Sequence, residues 1–245
     1  MSLALSALPL LVGSKILGLS PLQRSGVLVF HRIGSPILGT QLRSQYHSFK
    51  ELRDILSFLI SAGWTSLPLE NFNNQPRCFS LTLDDGYLRN LEPTLSLLDE
   101  FHVVATQFLV ASEIGGKSRW DQHKGGEESL MDEPAVRGWI AAGHRVGAHS
   151  CTHPNLRKLD EASGRREVAD SRHILEDLLQ IPILNFAYPY GSAGKREQGW
   201  VQEAGFSAGW ILREGALENA NPFARPRVAI RTLAMCFHHM FSHGR

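Results

Sequence analysis

The stretch HSCTHP carries two histidines four residues apart, His149 and His153, and the stretch LTLDDG carries two adjacent aspartates, Asp84 and Asp85. Two neutral imidazoles and one carboxylate form a common three-ligand set for Zn²⁺ or a similar divalent ion, with a position left open for water. A second carboxylate beside such a set suits metal-assisted hydrolysis, because one group fixes the ion and the other removes a proton. HxxxH spacing often places two rings on one helical face. Here Pro154 biases His153 away from helical angles, so a strand end running into a turn is expected. Adjacent side chains on an extended segment point to opposite faces, and a turn at Gly86 would bring both aspartates to one point. Each residue also has a bland reading. Asp85-Gly86 is a hairpin-turn signal, a lone histidine at a strand end is more often a hydrogen-bonded surface residue, and Cys151 reads as a small buried residue rather than a thiolate ligand.

The elements that must position these residues alternate between strand and helix. GVLVF (26–30) is a continuous apolar run, as in a strand buried on both faces, and ends at His31. Residues 48–63 have apolar positions at helical spacing, with Ser48 and Glu51 as a capping box and Gly63 as the stop. FSLTL (79–83) leads into Asp84, a helix runs from Pro93 to Phe101, and VVATQFLV (103–110) is a third strand. A Gly-rich charged loop (112–133) precedes a helix at 134–142 and the strand RVGAH (145–149). A helix (160–180), the strand ILNFAYPYG (183–191), a short helix (195–204), the strand FSAGWIL (206–212), ARPRVAI and a C-terminal helix complete the chain. Such repetition implies an α/β barrel of parallel strands whose C-terminal ends gather the site at one rim. His31, Asp84-Asp85, His149 with His153, and Tyr188-Pro189-Tyr190 all lie at or just past such ends.

The chain has 245 residues, 43% of them hydrophobic, enough for one barrel-sized core, and shows no repeat or linker. Residues 26–245 are read as one domain, preceded by an apolar segment (1–25) expected to be helical. Basic and acidic residues number 25 and 24, with no basic stripe, which argues against nucleic acid as a partner. Three scattered cysteines, Cys78, Cys151 and Cys236, form no disulfide framework and favour a reducing compartment. The N-terminal segment lacks a basic start and is broken by Pro9, Gly13, Lys15 and Gly18, which is too short and interrupted for a spanning helix. The expectation is a cytoplasmic protein with peripheral membrane contact through this segment.

LTLDDG, HSCTHP and FAYPYG, in this order, resemble the first three motifs of the polysaccharide deacetylase family, the NodB-homology carbohydrate esterases. Leu83 stands where the first motif usually has Phe, and the resemblance runs from about residue 26 to 232. It implies a distorted (β/α)7 barrel in which Asp85, His149 and His153 bind one divalent metal ion, commonly zinc, with Co²⁺, Fe²⁺ or Ni²⁺ as alternatives. It further implies that Asp84 is the general base, and that water activated at the metal attacks the carbonyl of an N-acyl group on an amino sugar. The resulting oxyanion would be stabilised by the metal and a backbone N–H near Tyr190. The family's usual acid is a late histidine, but VLVFHRI resembles a branch with circularly permuted motif order, which assigns the acid to His31. The rivals are His238, His239 and His243 in the tail. An arginine that usually precedes the Pro-Tyr pair is missing, and Arg225 or Arg227 could supply it from another strand. The loop 112–133 resembles an insert of that branch, with Trp120 and Asp121 near its middle. Tyr190, Trp120, Asp121 and Arg227 complete the expected substrate-side set. The competing readings are a catalytically silent carbohydrate-binding barrel and a metal-dependent deformylase or amidase acting on another substrate.

Overall fold

The computed structural model describes residues 25–72, 75–212 and 221–230. Seven strands form its frame: β1 (Gly26–Phe30), β2 (Cys78–Leu83), β3 (Ala105–Leu109), β4 (Arg145–Ala148), β5 (Asn185–Ala187), β6 (Ala208–Leu212) and β7 (Arg225–Ala229). All neighbours are parallel, in the order β1-β7-β6-β5-β4-β3-β2, and β1 pairs again with β2 to close the ring. The closing register sets Leu28 against Leu81 on one side and against Val228 on the other. Closure leaves no open edge in the ring, which suits strands that are apolar on both faces.

Among the described residues five α-helices cover the outside: α1 (Phe49–Ser61), α2 (Leu91–Glu100), α3 (Glu133–Ala141), α4 (Glu161–Leu179) and α5 (Lys195–Glu203). Local chemistry explains their starts. The Ser48 hydroxyl accepts from the Glu51 N–H at 3.1 Å and the Glu51 carboxylate accepts from the Ser48 N–H at 2.7 Å, the expected capping box. Asp132 and Asp160 cap α3 and α4 with a side-chain oxygen that accepts from the Ala135 and Ser163 N–H groups. The second helix begins two residues before Pro93, which fits in the first turn because its missing N–H would have no partner there. The strand read as 183–191 shortens to Asn185–Ala187, and a turn at Pro189–Gly191 aims Tyr190 outward.

Alternation along the strands separates two apolar regions. Leu28, Phe30, Leu81 and Leu83 face outward and pack with Leu52, Leu56 and Leu97 of the helices. Val27, Cys78, Phe108, Ala187, Ala208 and Trp210 come from five strands of the ring and touch one another, so they fill the barrel interior. Above them the inward positions turn polar, from Thr82 to Asp84. The long loop after β3 is not structureless. It contains a 3-10 turn over Arg119–Lys124 and bridges pairing Tyr87 with Leu130 and Lys117 with Ser129. The N-terminal segment and the tail with its three histidines lie outside the described residues.

Candidate active site

Asp84 and Asp85 leave the end of β2 through a tight turn. Asp85 takes φ 74° and Gly86 φ 80°, a left-handed pair that turns two neighbouring carboxylates toward one cavity. Asp84 is buried and gripped from across the ring. Arg227 on β7 donates from Nη1 and Nη2 to its two carboxylate oxygens at 2.7 and 2.8 Å, a bidentate pair. The same guanidinium donates to Thr82 Oγ1 at 3.1 Å, and Thr82 donates onward to the Leu28 carbonyl at 2.9 Å. Burial opposes ionisation of Asp84, but Arg227 and then His149 outweigh it and hold the carboxyl below its usual range. Arg225 lies over the Trp210 ring, so of the two arginines expected from another strand it is Arg227 that reaches Asp84.

Asp85 faces the two histidines. Its Oδ1 lies 3.4 Å from His149 Nε2 and 3.3 Å from His153 Nε2, and all three side chains are buried. His149 donates from Nδ1 to the Ala187 carbonyl at 2.7 Å, since a carbonyl can only accept. In the neutral ring that bond leaves Nε2 with a lone pair directed at a carboxylate oxygen which itself has no hydrogen-bond partner. Lone pairs converging in a buried space require a cation or a proton between them, and their atoms lie within 4.8 Å of one another. The backbone bond on the second ring nitrogen is the usual support of a metal-binding imidazole. The set of one carboxylate and two imidazoles therefore fits a divalent ion.

His31, just past β1, also approaches Asp84, with Nε2 4.0 Å from Oδ2 and its side chain one-fifth exposed. Trp120 stacks on the His153 ring at 4.5 Å, and Tyr190, half exposed and at φ 59°, packs on the same ring at 4.9 Å. Together these groups enclose a cavity of about 250 Å³. Two expected substrate-side residues are engaged within the protein. Asp121 borders the cavity, but its Oδ2 accepts from Arg32 at 2.7 Å and from the Tyr87 hydroxyl at 3.0 Å. Arg227 is fully buried, with its fork taken by Asp84, which gives it a positioning part rather than a substrate contact. Cys151 is buried, and burial pushes its thiol up to about 12, so it offers no thiolate.

Ser44, Gln45, His47 and Lys124 also line the cavity and were not singled out in the sequence. His47 lies on a two-residue strand, Tyr46–His47, that pairs with Arg32–Ile33. So short a pairing has no periodicity to detect. Arg32 was missed as well. It is completely buried, lies over the Tyr87 ring at 4.1 Å and binds Asp121, Glu128, Gln45 and the Gly126 carbonyl. It thus ties the loop that carries Trp120 to the residue next to His31. A buried arginine beside a strand end has no local sequence signature.

A closed parallel barrel with this Asp-His-His cluster and a clamped second aspartate at its C-terminal rim defines the class of hydrolase barrels to which comparison also leads. The polysaccharide deacetylase family model matches residues 72–209, more than half of the chain, and the chain belongs to that family. It is 23% identical over 195 residues to YxkH of Bacillus subtilis, a relative named for polysaccharide deacetylation, and covers 78% of this chain and 65% of that one. It is 29% identical over 130 residues to the peptidoglycan-N-acetylglucosamine deacetylase of Bacillus cereus, covering 52% of this chain and 41% of that protein. The chain therefore spans less than two-thirds of the length of these relatives. The fold is shared with the Streptococcus pyogenes deacetylase PplD, solved with acetate, at a TM-score of 0.74 and 16% identity over 90% of this chain and 99% of that one.

Proposed function

We propose that this protein is a metal-dependent hydrolase that removes an N-acyl group, N-acetyl by preference, from an amino sugar within a polysaccharide, glycolipid or glycan precursor. The observation that carries the reading is the buried Asp85-His149-His153 cluster set beside a second carboxylate with its own arginine clamp. A divalent ion held by these three residues, most simply Zn²⁺, would supply Lewis acidity and an acidified water. Asp84, fixed by Arg227 and kept ionised, takes the proton from the attacking water. His31, in the wall of the same cavity, delivers a proton to the departing amine. Trp120 and Tyr190 offer apolar ring surface at the cavity wall to a sugar face. The relative named as a peptidoglycan-N-acetylglucosamine deacetylase supports an N-acetylated glycan as the substrate class.

The test is acetate release from N-acetylated sugar oligomers by the metal-loaded protein, alongside Asp84→Asn. The variant is expected to keep its metal and to lose about 10²–10⁴-fold in kcat, the usual contribution of a positioned base. Stoichiometric metal with no turnover on a broad panel of acylated sugars would favour a carbohydrate-binding barrel instead.

A further inference from the structure

The loop between His149 and His153 is an unusual piece of backbone. Ser150 and His153 both adopt left-handed angles, φ 64° and φ 61°, although neither is a glycine. Non-glycine residues hold such angles only where the surroundings impose them. Several neighbours do so. The Ser150 and Cys151 carbonyls accept from the Ala111 and Ser112 N–H groups at 3.0 Å each, and the His153 N–H donates to the Ser150 hydroxyl at 3.0 Å. What remains are the N–H groups of Cys151 and Thr152 at the crest of the loop. Both donate to a single oxygen, Oε2 of Glu167 on α4, at 2.9 and 3.0 Å. The Thr152 hydroxyl donates to the other oxygen at 2.7 Å.

Successive N–H groups next to a left-handed residue form a concave anion-binding nest. Here the anion is a side chain of the protein itself. We propose that Glu167 is a positioning residue of the metal centre: its carboxylate fills the nest at Cys151-Thr152 and so holds the loop in the conformation that aims His149 and His153 at one point. Glu167 touches no ligand atom and lies outside the cavity, on the opposite side of the loop. It stands seven residues into α4, whose Val168, Ser171 and Leu175 are buried, so it is fixed to a well-packed element. The loop thus bears on two supports, the end of β3 through backbone bonds and α4 through one carboxylate. The inference rests on the metal reading of Asp85, His149 and His153.

Glutamine at this position is the informative replacement. Its carbonyl oxygen can accept both N–H groups, and its amide can donate to the Thr152 hydroxyl, so the nest stays filled without the charge. Alanine empties it. Zn²⁺ affinity is measured on metal-free protein by competition with a chromophoric chelator, for wild type, Glu167→Ala, Glu167→Gln, Thr152→Val and His153→Ala, together with the melting temperature of each metal-free form. Glu167→Ala is expected to bind Zn²⁺ on the order of 10- to 100-fold more weakly, as when the outer support of a ligand is removed. Glu167→Gln should recover most of that loss and Thr152→Val should fall between them, with the metal-free melting temperatures close together. Thr152→Val removes only one hydrogen bond and keeps the proposal testable should Glu167→Ala fold poorly. Wild-type affinity in Glu167→Ala, or an equal loss in Glu167→Gln, would overturn the role of Glu167. No Zn²⁺ binding by the wild type, or unchanged binding by His153→Ala, would overturn the metal reading and this proposal with it.

Discussion

Asp84 and Asp85 are chemically identical neighbours in the chain, and their surroundings divide their roles. One is met by a guanidinium fork and one by two imidazoles, which is a matter of geometry set by a single turn. Arg227→Lys retains a positive charge but cannot grip both oxygens. We expect kcat to fall by roughly 10- to 100-fold, the scale of a misplaced reactive group, with bound metal unchanged. Arg227→Met should in addition lower stability by about 3–5 kcal/mol in urea denaturation, because it strands a buried carboxylate. Equal kcat in Arg227→Lys and wild type would show that the fork has no bearing on the base. The four motif residues could be read in the sequence because they come as two short pairs, each with its own local pattern, Asp84-Asp85-Gly86 and His149-x-x-x-His153-Pro154. Arg227 could be read only as the substitute for a missing arginine, and Arg32 and Glu167 could not be read at all, since their partners lie about 15 to 100 residues away.

At the scale of elements, legibility followed local chemistry. The capping box of α1 and the apolar runs of β1 and β2 mark their own positions, whereas the two-residue strands at Arg32–Ile33 and Tyr46–His47 exist only through each other. The loop after β3 looked formless because its bridges to Tyr87 and within itself are long-range. A strand can also be constrained by what it lacks. Gly147, in β4 two residues before His149, packs so closely that a Cβ there would stand 2.5 Å from the Phe108 ring and 2.9 Å from the Asn185 carbonyl. Gly147→Ala should therefore cost about 1–3 kcal/mol of stability by overpacking. Denaturation at fixed metal concentration measures it, and a stability equal to wild type would mean that β4 shifts without strain.

At the scale of the whole molecule, two buried histidines outside the Asp85-His149-His153 cluster link stability to pH. His144 is packed on the Trp139 ring at 4.4 Å and accepts from the Ala105 N–H at 3.4 Å. Burial, then Arg145, lowers its pKa against a smaller opposing pull from Asp99. Burial likewise lowers that of His47, despite its bond to the Ile230 carbonyl. Each folded-state pKa lies below the unfolded one, so as pH falls the unfolded chain takes up the proton first. Their contribution is complete above about pH 6.5 and is lost progressively below it. His144→Asn, which keeps an acceptor and cannot titrate, should show a shallower loss of stability between pH 7.5 and 5.5 than wild type; an identical slope would rule His144 out. The seam of the ring carries a different kind of consequence. His31 follows β1, Asp84 follows β2 and Arg227 lies on β7, and the three meet only when β1, the first strand of the barrel, pairs with β7, the last, as well as with β2. A nascent chain that has made six strands holds both aspartates and both histidines of the cluster, yet lacks the arginine that grips Asp84, the base of the proposed reaction. Turnover would thus switch on late and abruptly during folding, so a hydrolysis assay run on refolding protein would time the final closure of the barrel.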